Sequence, residues 1–255
     1  LLCSCQFSTN FSSGVKGNGN VETLERPVTD FNQIKVSRGL DVYLTQAEEI
    51  GLRVQADENL HDIIMTKVEN KILHIYADEN IGSSSARKVL VNFKDVNKIT
   101  STSGSEVFST NTFKIEEIEL NSTSGSQMEI DITANVIECN TTSGSQIKLS
   151  GTTNKLFADA TSGSSIKADN LQALVSDVKA TSGASIRVNA SEELIAKATS
   201  GAGIKYEGNP EKITKIVGVV FSVIGDFNQF KSFNLEIGKL AFLLDSDQDG
   251  IVDEF

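Results

Sequence analysis

Between residues 100 and 206 apolar residues fall at every second position in short bursts, and the bursts recur about every twentieth residue. A Thr-Ser-Gly tripeptide punctuates them six times, with its glycine at 104, 125, 144, 163, 183 and 201, spaced 21, 19, 19, 20 and 18 residues apart. Aligned on that glycine, the third following position holds Val107, Met128, Ile147, Ile166, Ile186 and Ile204. The fifth holds Ser109, Ile130, Leu149, Ala168, Val188 and Tyr206. Five positions before the glycine stand Ile99, Leu120, Cys139, Ala158, Val178 and Ala196. Period-two alternation predicts strands with one buried face. Each repeat therefore reads as strand, Thr-Ser-Gly corner, strand. A period near twenty without helical spacing predicts an all-β chain wound as a parallel β-helix, or β-solenoid, with one repeat per coil.

The corner residues suit a sharp bend. Glycine reaches backbone angles closed to other residues, and Ser and Thr hydroxyls bond to nearby backbone in turns. Small residues follow every glycine: Ser105, Ser126, Ser145, Ser164, Ala184 and Ala202. Coils stack about 4.8 Å apart, so equivalent residues form ladders along the axis. Cys139 lies in an apolar column and reads as a small buried hydrophobe rather than a reactive thiol.

Residues 21–99 carry less regular strand signals at Ile34/Val36, Leu40/Val42/Leu44, Leu52/Val54, Ile72/Ile75 and Leu90/Val91/Phe93. Turn residues separate them at Arg38-Gly39, 48–51, 69–71 and 78–85. Leu60–Val68 suits either a strand or a short helix. This region is expected to supply the first coils and to cap an end that would otherwise invite edge pairing. The pattern divides the chain into a tether over 1–20, a solenoid over 21–215 and an unassigned segment over 216–255.

The two ends suggest chemistry. Leu2-Cys3-Ser4-Cys5 resembles the end of a bacterial lipoprotein signal with Cys5 as the lipidated residue, and the polar stretch after it suits a tether from a membrane. Three cysteines make no disulfide framework. The apolar stretch Ile216–Ile224 is too short to span a bilayer. At the other end Asp245, Asp247, Asp249 and Asp253 surround Gly250 at the spacing of a calcium loop. The glutamate expected at the twelfth position falls past Phe255, so the loop is cut short. The expected cofactor is thus none, apart from a calcium ion at this C-terminus.

Charge changes the picture at one place. The chain has 23 Lys+Arg against 34 Asp+Glu, a net charge of -11, which argues against general affinity for nucleic acid. Yet the outward position between the two apolar columns holds Lys148, Lys167, Arg187 and Lys205 in successive repeats. Such a stripe suits an acidic glycan, and it also suits a merely solvated strand face. The Thr ladder raises ice binding, but Thr beside Gly at a bend is not a flat Thr-x-Thr array. His61 and His74 are the only histidines, and neither stands beside a nucleophile in the sequence.

Several of these segments resemble the head GIN domain family of putative auto-transporter adhesins. They are Gly17-Asn18-Gly19-Asn20-Val21, Phe31-Asn32-Gln33-Ile34-Lys35-Val36, Gly39-Leu40-Asp41-Val42-Tyr43-Leu44 and Ala56-Asp57-Glu58-Asn59-Leu60, followed by the Ser/Thr-Gly-Ser repeats. The resemblance covers about 17–215. It implies a right-handed β-helical domain, exported and lipid-anchored in the cell envelope, with no established catalytic residues. The expected role is non-enzymatic, presenting a rigid surface for adhesion or glycan binding. The alternatives are a β-helical polysaccharide lyase or hydrolase and a purely structural scaffold.

Overall fold

The Thr-Ser-Gly corners take one conformation six times. In the computed structural model, which describes residues 14–217, 222–224 and 233–237, the corner serines have φ of 52–55° and the glycines 69–75°. The residue after each glycine returns its N–H to the threonine carbonyl at 3.2–3.3 Å. Two consecutive left-handed residues closed by an i→i+3 bond are the features of a type I′ turn, whose twist matches that of the flanking strands. Glycine is there for its φ alone, since a Cβ at Gly144 would meet nothing within 4 Å. Tightness comes one residue later, where Ser105, Ser126, Ser145 and Ser164 are buried inside the corner. Ser145 Oγ donates to Ser122 O at 2.6 Å in the neighbouring coil and lies 2.8 Å from Thr142 O in its own turn. Each corner is also tied to the next, as in Gly144 N–H to Ser162 O at 3.2 Å.

Strands β1 (Val21–Glu25), β2 (Gln33–Val36), β3 (Asp41–Gln46), β4 (Gly51–Asp57), β5 (Ile64–Glu69), β6 (Ile72–Ala77) and β7 (Arg87–Phe93) form the N-terminal part. The repeats supply β8 (Lys98–Ser101), β9 (Glu106–Ser109), β10 (Phe113–Ser122), β11 (Gln127–Thr141), β12 (Gln146–Ala160), β13 (Ser165–Ala180), β14 (Ser185–Ala198), β15 (Gly203–Glu207) and β16 (Lys212–Val217). From β10 to β14 each strand pairs in parallel with the next, so β12 lies between β11 and β13 with both backbone edges used. The inward columns are buried: Ile99, Leu120, Cys139, Val178 and Ala196 are all 0% exposed. Burial pushes the Cys139 thiol well above its usual range, with Glu138 adding to the effect. A thiol so placed behaves as a hydrophobe.

The stack extends in both directions beyond the repeats. Arg38 and Gly39, at φ 62° and 72°, form a seventh corner below Ser103-Gly104. β2 and β3 are thus the coil beneath β8 and β9. The chain then passes below that coil before returning. β6 pairs in parallel with β2, and β7 with β3. The end is closed by reversal of direction: β5 runs antiparallel to β6, β4 to β7, and β1 to β4. Asn70 and Lys71, both at positive φ, make the β5–β6 hairpin turn. In the ambiguous Leu60–Val68 segment, Leu60 ends a 3-10 turn begun at Glu58 and the residues from Ile64 on form β5, so the strand reading holds there. Within β6 and β7 the inward residues are Leu73, Ile75, Val89, Val91 and Phe93, while Ile72 and Leu90 point outward. At the far end β17 (Ser222–Ile224) pairs with β15, and β18 (Phe233–Ile237) pairs with β16, so coil geometry continues past 215 without a Thr-Ser-Gly signal.

Residues 14–20, expected to belong to a tether, are bonded to the cap. Val15 N–H donates to Asn80 O at 2.7 Å and Gly17 N–H to Ser83 O at 2.8 Å. Asn18 N–H donates to Asn59 Oδ1 at 2.9 Å, and Asn59 Nδ2 to Lys16 O at 2.9 Å. The Gly-Asn segment and the Asp57-Glu58-Asn59 segment, forty residues apart in sequence, thereby form one clasp. Asp57 is its buried centre.

Candidate ligand-binding face

The register aligns the four predicted basic residues. Lys148 pairs opposite Lys167, Lys167 opposite Arg187, and Arg187 opposite Lys205, one strand spacing apart. Inward neighbours on both sides, such as Ile166 and Ala168 around Lys167, are buried and hold the strand face in place. The column does not end at these four. It continues downward through Glu129, Phe108 and Tyr43.

These neighbours divide the column into parts. Glu129 Oε1 accepts from Lys148 Nζ at 2.7 Å, which neutralises the first basic residue locally. Tyr43 and Phe108 stack with ring centroids 5.2 Å apart. Lys167, Arg187 and Lys205 form no salt bridge with any described residue. The uncompensated stripe therefore has three members rather than four. Beside them in the strands stand Ser165, Ser185 and Gly203, short residues that leave the long side chains unobstructed. Asp169 and Glu207 follow two positions after Lys167 and Lys205 and bound the stripe with negative charge. Three cations at a strand spacing repel by about 1 kcal/mol per neighbouring pair even in bulk-water dielectric. A bound anion would relieve that repulsion.

The remaining predicted sites fall elsewhere. Cys5 and the acidic loop of Asp245, Asp247, Asp249 and Asp253 lie outside the described residues. His61 is buried in the cap, where its carbonyl accepts from Arg26 at 2.7 Å. His74 lies on β6, paired in register with Lys35 and Lys67. Among the described residues no group of three or more His, Cys, Asp or Glu side chains is placed to hold a metal ion, and no helix is long and apolar enough to cross a membrane.

The profile described as "putative auto-transporter adhesin, head GIN domain" matches residues 30–210. The chain belongs to the head GIN domain family. Solved structures share the fold. A putative adhesin from Bacteroides fragilis NCTC 9343 superposes with a TM-score of 0.78 at 20% identity, covering 84% of this chain and 100% of that one. A putative lipid binding protein from Parabacteroides distasonis ATCC 8503 gives 0.67 at 22% identity, covering 81% and 98%. A putative adhesin from Parabacteroides merdae ATCC 43184 gives 0.61 at 20% identity, covering 83% and 95%. No curated protein matches the chain.

A second feature adjoins the stripe. Further along the strands β11 to β14 lies an open groove of about 460 Å³ lined by Thr, Asn and Gln side chains together with Ala134, Ala173 and Leu174. Coil lengths differ there, so alignment on the glycine scrambles its columns. The only signal in the sequence is a polar residue eight or nine positions after each corner glycine, at Thr133, Thr152 and Gln172.

Proposed function

We propose that this head GIN domain is a non-enzymatic adhesin of the bacterial envelope whose basic stripe contacts an acidic glycan. The observation that carries the reading is the run Lys167, Arg187 and Lys205, in register and with no salt-bridge partner among the described residues, on a chain of net charge -11. Rungs about 4.8 Å apart place cationic groups at regular intervals, which suits a linear polyanion more than a single compact ligand. Family membership supports the adhesin role and export to the cell surface. The lipoprotein-like Cys5 supports anchoring by a lipid, with 6–13 as the link between membrane and domain. The spacing of Asp245, Asp247, Asp249 and Asp253 around Gly250 supports a calcium ion as a further ligand.

Binding to polygalacturonate, measured by calorimetry in low salt, tests the stripe. The affinity is expected to fall at least tenfold in the Lys167→Glu/Arg187→Glu variant and to weaken with added salt. Unchanged binding in the variant would overturn the reading. Metabolic labelling with a fatty acid in the native host, lost in Cys5→Ser, tests the anchor.

A further inference from the structure

We propose that the groove beside the basic stripe is a separate site for a neutral oligosaccharide. It runs across β11 to β14 and presents Thr133, Asn135, Thr152, Asn154, Gln172 and Asn189. None of its lining residues is charged, although 22% of the chain is Asp, Glu, Lys or Arg. Its polar groups are partly preset. Asn154 Nδ2 donates to Asn135 Oδ1 at 2.8 Å, and Thr152 lies 3.4 Å from Thr133 between hydroxyl oxygens. Leu174, 40% exposed, adds an apolar surface to the same groove. Amides and hydroxyls that both donate and accept, beside the apolar surface of Ala134, Ala173 and Leu174, match a sugar with its hydroxyl rim and C–H faces.

The repeat is irregular here and regular at the Thr-Ser-Gly corners. Register slips occur between Lys148 and Ser150, between Ala168 and Gln172, and between Ala173 and Val175. Gly151, at φ 113°, packs so close to the neighbouring coil that a Cβ would lie 2.0 Å from Ile132 O. Bulges disrupt ladder pairing and gather where a strand must re-aim its side chains. Other occupants fit less well. A peptide adding as a strand needs a free backbone edge, and β12 and β13 are paired on both sides. An anion finds no cation in the lining.

The test uses the whole domain and a panel of linear neutral hexasaccharides (cello-, laminari-, manno- and chitohexaose), with polygalacturonate as the charged probe. At least one neutral probe is expected to bind, and Gln172→Ala and Leu174→Asp should each weaken it tenfold or more. Lys167→Glu/Arg187→Glu should leave neutral binding intact while weakening polygalacturonate binding at least tenfold, so the two sites fail separately. Melting curves confirm that the variants are folded. No binding by any neutral probe, or binding unaltered in both groove variants, would overturn the proposal.

Discussion

Asp57 Oδ2 accepts the backbone N–H of Gly19 at 2.9 Å, joining the 14–20 segment to the capping turn. The other oxygen accepts Ser85 N–H at 3.0 Å and Ala86 N–H at 2.9 Å. One buried carboxylate thus holds three chain segments at the end of the stack. Gly17 completes the fit, since a Cβ there would lie 2.0 Å from Asp57 Oδ2.

Removing either partner should loosen the cap before the repeats. Asp57→Ala leaves three backbone donors without their acceptor, and Gly17→Ala pushes the segment off the carboxylate. Both variants are expected to lower the melting temperature by several degrees. Hydrogen exchange should rise in 15–25 and 57–64 while β12 and β13 stay protected. Uniform exchange across the chain would count against a local clasp.

Acid should act through the same residue. Burial raises the Asp57 carboxyl, but the N–H donors of Ala86, Gly19 and Ser85 outweigh it and hold the group below its ordinary value of 3.8. Glu119 is lowered as well, by the Asn121 amide first and then by Lys98. In both cases the unfolded chain binds more protons than the folded one below the ordinary value, so stability rises with pH there. The contribution is complete above about pH 5 and is lost as the pH falls through the folded values. Melting temperatures from pH 6 to 3 should fall steeply below about pH 4, and less steeply in Asp57→Asn.

The two kinds of glycine should respond differently. Gly144→Ala meets open space and bears only the left-handed backbone cost, about 1–2 kcal/mol. Gly151→Ala must also push Ile132 O away in the neighbouring coil. Urea unfolding is expected to rank Gly151→Ala as the more destabilising, although Gly144 belongs to the more conspicuous motif.

Cys139 should be silent in the folded protein. In a Cys3→Ser/Cys5→Ser background, maleimide labelling at pH 8 is expected only after denaturant is added. Labelling within minutes under native conditions would contradict its burial at 0% exposure.

The sequence of this protein by itself determined the solenoid, because each coil repeats the same local demands. Thr-Ser-Gly encodes a turn through backbone angles, alternation encodes a half-buried strand, and spacing fixes which residues share a column. Cys139 and the Lys148–Lys205 column were legible for that reason. What only the tertiary structure decided are relations between segments of unlike pattern. The chain's detour beneath β2 and β3 places β6 and β7 below residues that precede them in sequence. Spacing alone puts Glu129 in the column of Lys148, but the 2.7 Å closure of its carboxylate on the Lys148 ammonium is side-chain geometry that no spacing encodes. The clasp around Asp57 and the groove around Asn154 both depend on irregular lengths, and an irregular length carries no period from which a position can be read.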